Sequence, residues 1–376
     1  MKNSPQTEFN SFFWGGFECA DHINRSGNRV NLLKETEHIS RCEEDYVLLQ
    51  SIGIKVVREG ICWSEVETTP YRFNFSSLRS RIAAAAKLHI QIVWDLCHFG
   101  YPDDLIPTHP KFTERFNALC RAFGLFYKSI SNAPLWVVPI NEISFLSWHS
   151  GDVRGTVPFA INSGFDIKYH LCKAAIEGIS ILKQTIPETY IFIVEPLIQI
   201  HPGTEATEED VLQVNSNQFQ VMDIIMGNAC PELGGSTNLC DYMGLNYYYD
   251  NQWIHEGEKL QWPTSENIRI PLSKLLKEAY ERYQKPIVLT ETGHFGRHRT
   301  QWLEEVTQQC EQALSLQVDL RGVCIYPVID RPDWDNLNFY SKCGVWDLDR
   351  NKNRIPYEPV INFLQKKGSN AELAKN

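Results

Sequence analysis

Apolar and polar positions follow two rhythms along the chain. Short runs rich in β-branched and aromatic residues recur, and between them lie longer stretches whose apolar residues fall at helical spacing. The short runs are "FFWGGF" (12–17), "KVVREG" (55–60), "IQIVWDLC" (90–97), "PLWVVPINE" (134–142), "YIFIVEPL" (190–197), "YMGLNYYY" (242–249), "PIVLTETG" (286–293) and "GVCIYPVI" (322–329). The spacing predicts helices over 40–53, 75–89, 115–130, 167–186, 272–284 and 302–316. In the first of these Tyr46, Leu49 and Ile52 share a face, and Gly53 stands where a helix would stop.

Strands that alternate with helices imply a parallel sheet with helical crossovers. Eight such units on a continuous chain predict an α/β fold, a closed (β/α)8 barrel. An open doubly wound sheet would carry a glycine-rich phosphate turn after an early strand, and the sequence has neither GxGxxG nor a P-loop. Repeats, low-complexity tracts and interdomain linkers are absent, so residues 1–376 are read as one domain, with a loose tail from about 366 to 376.

In such a barrel the functional side chains stand where strands end. Those ends carry Glu18, Arg58, His98, Asn141, Glu142, Glu195, Asn246, Tyr248, Glu291, Asp330 and Asp333. Glu142 closes the fourth strand and Glu291 the seventh, which places them across the mouth from each other. Two carboxylates flanking a sugar suffice for glycoside hydrolysis: one donates a proton, the other attacks or activates water. The alternative for each is a solvated strand end or an ion-pair partner.

Composition narrows the field. A net charge of -10 argues against nucleic acid, whose phosphates need a basic surface. No apolar run approaches the length of a membrane span, and the first residues lack the apolar core of a signal peptide. The 11 cysteines include no CxxC pair and several sit inside strand runs, so they read as reduced thiols of a cytoplasmic protein. Cys97 beside His98 does not read as a nucleophile and base, because neighbours on a strand point to opposite faces. "HFGRHRT" (294–300) reads as a solvated basic loop. No cluster has metal-ligand spacing, and the chemistry calls for neither metal nor organic cofactor.

Six segments in order resemble family 1 glycoside hydrolases, the β-glucosidase type among the (β/α)8 retaining glycosidases. "PINEIS" is similar to T-F-N-E-P and "VLTETG" to I-T-E-N-G; "VVREGICWSEV", "DLCHFGYPDDL", "YMGLNYYYD" and "YPVIDRPDW" followed by "YSKCGVWDLD" resemble the family's strand-two, strand-three, strand-six and strand-eight segments. The resemblance implies Glu142 as acid/base, Glu291 as nucleophile, Arg58 and Tyr248 as supports of the nucleophile, and Asn141 on the sugar 2-hydroxyl. It implies His98 on the sugar and Asn246 near the aglycone. It also implies a small-molecule glycoside or oligosaccharide as substrate.

The departures fall at the sugar pocket. His22 stands where the family carries Gln, Tyr326 where it carries Trp, and Asp333 where it carries Glu, while Trp334 is kept. "NFYSKCGVW" does not reproduce the Ser, Lys, Tyr spacing of the phosphosugar branch, so a 6-phosphate substrate is not expected. Glu195 is left as a substrate contact of unassigned role. The rival readings are a glycosidase-like barrel without turnover that binds a glycan or protein, and a lyase or isomerase using the same carboxylates. Retention of both glutamates favours the retaining β-glycosidase.

Overall fold

The computed structural model describes residues 8–265 and 267–373, with side chains as far as Lys367. Eight strands close into a barrel: β1 (Phe13–Gly16), β2 (Val56–Gly60), β3 (Gln91–Cys97), β4 (Leu135–Ile140), β5 (Thr189–Pro196), β6 (Tyr242–Asn246), β7 (Ile287–Thr292) and β8 (Leu320–Ile325). Each pairs in parallel with its neighbours in sequence, and β8 returns to β1 through Phe13 opposite Val323 and Gly15 opposite Ile325. All eight expected strands are present in the expected order.

The outer helices follow the predicted spacing. They include α1 (His38–Ser51), α2 (Ser76–Leu88), α3 (Phe112–Ile130), α4 (Ile143–Gly151), α5 (Gly164–Thr185), α6 (Leu272–Tyr283), α7 (Arg299–Ser315) and α8 (Glu358–Leu373). In α3 the buried stripe Phe112, Phe116, Leu119, Cys120, Phe123 and Tyr127 keeps the i, i+3/i+4 period that lays one face on the sheet. Past α1, Gly53 takes φ 81°, the left-handed conformation anticipated for a helix stop. The last helix, α8, runs on to Leu373. Val360, Ile361 and Leu364 are buried against the barrel and carry this last helix, while 374–376 lie outside the described residues.

Inside the barrel Phe9, Trp14, Val56, Val93, Trp136, Val138, Phe192, Val194, Tyr242, Val288, Cys324 and Tyr326 form one apolar cluster. Strand alternation then dictates what lies above it. Two residues beyond Val56 comes Arg58, two beyond Val93 comes Asp95, and two beyond Val288 comes Thr290, all buried. The interior thus turns from apolar to ionic within one step toward the C-terminal ends of the strands. Gly16 makes room at this level, because a Cβ there would stand 2.1 Å from Cδ2 of Tyr326.

Candidate active site

Arg58 is the hub. Its Nε donates to Asp95 Oδ1 (3.0 Å), Nη2 reaches Asp95 Oδ2 (2.8 Å) and donates to Asn141 Oδ1 (2.6 Å), and Nη1 donates to Glu291 Oε1 (2.6 Å). The side chain is fully buried. Burial works against its charge, but Asp95 and Glu291 outweigh it and hold the guanidinium protonated. Because a guanidinium only donates, it fixes the Asn141 amide with its oxygen toward Arg58. The Asn141 Nδ2 then lies 3.4 Å from Nε2 of His98.

The two glutamates sit in opposite environments. Glu291 is buried, receives Arg58 at one oxygen, and receives the Tyr248 hydroxyl at the other (2.8 Å). Glu142 follows β4 directly, in the left-handed region at φ 45°, and is the residue that precedes α4. Its Oε1 accepts one hydrogen bond, from Asn246 Nδ2 (2.8 Å). Burial, and next the charge of Glu291, push its carboxyl well above the ordinary glutamate value, while Asn246 pulls the other way. Asn246 closes β6 and Tyr248 lies two residues on, so a single strand end supplies one donor to each carboxyl. Burial and then the charge of Glu291 also push the Tyr248 phenol well above its usual range, keeping it a donor.

His98 lies beyond β3, with Nδ1 2.8 Å from Asp95 Oδ2. Burial disfavours its charge, but the Asp95 hydrogen bond and carboxylate charge together raise it above an ordinary histidine. The Tyr326 ring stacks on it at 5.9 Å and 6°, and the Tyr326 hydroxyl donates to Glu18 Oε1 (3.3 Å). His22 is buried 4.8 Å from Trp334, ring to ring, and its Nδ1 has no protein partner. Burial drives it down to about 3, with His149 the next contributor, so it is a neutral imidazole. Asp333 stands apart: its Oδ1 accepts from the backbone N–H groups of Asp335 and Asn336 (2.9 and 3.0 Å), which shapes its own loop.

Other readings from the sequence change. In "HFGRHRT", His294 and Arg299 are buried rather than solvated. Arg299 donates to Asp347 Oδ1 (2.7 Å) and lies 3.6 Å from the centre of the Tyr357 ring, so it ties α7 to the segment after β8. Asp330 accepts from the Cys343 N–H (3.1 Å). Glu195 accepts from the Ser144 backbone N–H through both oxygens (3.1 and 3.3 Å). Cys97 is buried, and burial raises its thiol well above the usual range, as befits an inert side chain. Asp95, Thr290 and Arg331 have no role in the sequence reading, and Glu18 stands there only as a polar strand end. Thr290 donates to Asn246 Oδ1 (2.7 Å), and Arg331 stands 3.6 Å from Glu18 Oε2 and 5.8 Å from the Trp334 ring. Cys19, Asp95 and His98 bring potential metal-ligating atoms within 4.8 Å of one another, a grouping that linear spacing hides. Asp95 there is already paired with the Arg58 cation.

Among the described residues no helix is long and apolar enough to cross a membrane. All 11 cysteines are free thiols, buried or half-buried.

The fold is that of the family 1 β-glucosidases, and the sequence is similar to theirs at low identity. It is 22% identical over 388 residues to aryl-phospho-β-D-glucosidase BglC of Bacillus subtilis (strain 168), covering 81% of this chain and 80% of that protein. It superposes on the family 1 β-glucosidase from Thermotoga maritima with a TM-score of 0.76 at 17% identity, over 95% of this chain and 98% of the other. The glucoimidazole complex of a β-glucosidase from the same organism gives 0.73 at 18% identity, over 89% and 87%. No family model matches the chain.

Proposed function

We propose that this protein is a retaining β-glycosidase acting on a small-molecule glycoside, with Glu291 as nucleophile and Glu142 as acid/base. The observation that carries the reading is the contrast between the two carboxyls. Glu291 is held by a guanidinium and a phenol, whereas Glu142 is pushed toward its protonated form by burial and by Glu291 itself. A nucleophile needs donors that fix its carboxyl in place, and a proton donor needs a carboxyl that keeps its proton; the two environments suit those roles.

The reaction follows from these positions. Glu291 attacks the anomeric carbon while Glu142 passes its proton to the departing oxygen, leaving a glycosyl ester on Glu291. Glu142, now ionised, takes a proton from water, and the hydroxide oxygen displaces Glu291 to release the sugar with its configuration retained. Asn141, its oxygen engaged by Arg58, presents its amide nitrogen, with two hydrogens to donate, toward His98 and the sugar 2-hydroxyl. His98 and Tyr326 line the base of the sugar pocket, while His22 and Trp334 form its aromatic wall. Asn246 orients Glu142 on the aglycone side. Free thiols throughout the chain suit the reducing cytoplasm as the place of work.

The deciding experiment is incubation with a panel of activated 2-fluoro-glycosides, followed by mass analysis of the intact protein and its peptides. One glycone is expected to label Glu291. An adduct on another residue, or rapid turnover of a natural glycoside by a Glu291→Ala protein, would overturn the assignment.

A further inference from the structure

Glu195 occupies a place where a carboxylate needs a reason. Val194 belongs to the barrel interior, so Glu195, one residue on, faces the helical layer on the side of β5 that also carries Ile191 and Ile193. It is 3% exposed. Its two oxygens converge on the Ser144 N–H in the first turn of α4, where backbone donors lack intrahelical partners. The residue just before that helix ordinarily supplies such a cap from its own side chain. Here that residue is Glu142, and its side chain makes no capping bond, its carboxyl being turned to Asn246 instead. The cap comes from the adjacent strand.

The same strand end grips Glu142 itself. The Glu142 N–H donates to the Val194 carbonyl at 2.9 Å, and its own carbonyl accepts from Leu146 at 2.8 Å. A glutamate at φ 45° is a strained backbone position that persists only when its surroundings over-determine it. Val194 and Glu195 together give a two-point clamp around it.

We infer that Glu195 is a positioning residue for Glu142: it caps α4 in place of the Glu142 side chain, freeing that carboxyl for proton transfer, and its negative charge favours the protonated acid. The inference rests on the acid/base reading of Glu142. The groups facing Glu195 are Ile143 and Ser144 of α4, Lys168 and Cys172 of α5, and Glu142. Lys168 is engaged with Gln220 Oε1 at 2.8 Å. Burial raises Glu195 to about 7, so its charge develops across the neutral range in which Glu142 must hold its proton.

The test uses phenyl and dinitrophenyl β-glycosides of the glycone that labels Glu291, with kcat/KM measured against pH. Glu195→Gln keeps an oxygen for the Ser144 N–H and loses the charge. Its alkaline limb is expected to move to lower pH by about half a unit or more, because a like charge beside Glu142 is gone. Glu195→Ala loses the cap as well, and is expected to lose roughly tenfold more rate on the phenyl than on the dinitrophenyl glycoside, which departs without protonation. An unmoved limb in Glu195→Gln, or equal losses on both substrates in Glu195→Ala, would reduce Glu195 to a structural cap and overturn the inference. Glu142→Gln run alongside separates the two claims. If it too loses both substrates equally, the acid/base reading itself is wrong.

Discussion

Asn246 donates to Glu142 Oε1 at 2.8 Å while accepting the Thr290 hydroxyl at 2.7 Å. The hydroxyl fixes which end of the amide is oxygen, so the nitrogen must face Glu142. A donor to a carboxylate favours its ionised form, so Asn246 moderates the upward push that burial and Glu291 exert. Asn246→Ala is therefore expected to raise the alkaline limb of kcat/KM by about one pH unit, the worth of one hydrogen bond to a charged group. The direction is opposite to that expected for Glu195→Gln. A limb that falls or stays in place would mean that Glu142 is not the group titrating there.

Arg58 touches Asp95, Asn141 and Glu291 at once, which a lysine ammonium cannot do from a single point charge. Arg58→Lys should lower kcat/KM roughly a hundredfold or more, through a misplaced nucleophile and a freed Asn141 amide. Steady-state kinetics on the labelled glycone measures this, and trapping by the 2-fluoro-glycoside should slow in parallel. Turnover within a few-fold of wild type would show that the hub serves only to fill the barrel.

Removal of the Glu291 carboxyl gives a chemical signature of the proposed mechanism. Glu291→Ala should cut hydrolysis roughly ten-thousandfold or more. Azide can enter the space vacated by the carboxylate and attack the anomeric carbon directly, with Glu142 still able to donate. The expected product from a β-glycoside is the α-glycosyl azide, identified by NMR. A β-azide would assign the attack to the other face and exchange the roles of the two glutamates.

Much of this was legible because a barrel strand announces its end. Glu142 and Glu291 each follow an apolar run, and the count of eight runs sets them across the mouth. What stayed hidden depends on side-chain parity and on loops. Asp95 sits inside a strand run rather than at its end, and only the alternation from Val93 shows that it points inward to Arg58. Glu195, by contrast, does close a run and was read as a substrate contact. Its outward parity sends it to the N-terminus of α4, a contact that no spacing in the chain reveals. Asp333 was matched by position to a sugar ligand, but local turn chemistry claims one of its oxygens. Arg299 was read with its basic neighbours, although its partner Asp347 comes from beyond β8.

Parity also separates Arg58 from Glu59, which faces the helices and anchors a second ionic cluster. Glu59 receives Arg81 Nη1 (2.7 Å) and the Tyr46 hydroxyl (2.6 Å), and stands 2.8 Å from His38 Nε2. His38 Nδ1 lies 2.7 Å from Asp45, which also receives Arg354. Burial opposes the charge on Glu59, but His38 and Arg81 overcome it and hold the carboxyl at about 2, against 4.5 for an ordinary glutamate. A depressed folded value means that its contribution is complete above about 4.5 and is lost as pH falls through about 2. His38, raised by Glu59 and Asp45 against burial, contributes below 6.5 and is lost only as pH climbs through its raised value. Glu59→Gln leaves Arg81 and His38 buried against a neutral amide and should cost about 3–5 kcal/mol at neutral pH by denaturant titration. Melts between pH 7 and 3 should show the wild type losing stability below about 4.5 and the variant, already weakened, following a flatter course. A variant that melts with the wild type throughout would show that the cluster specifies geometry without adding stability.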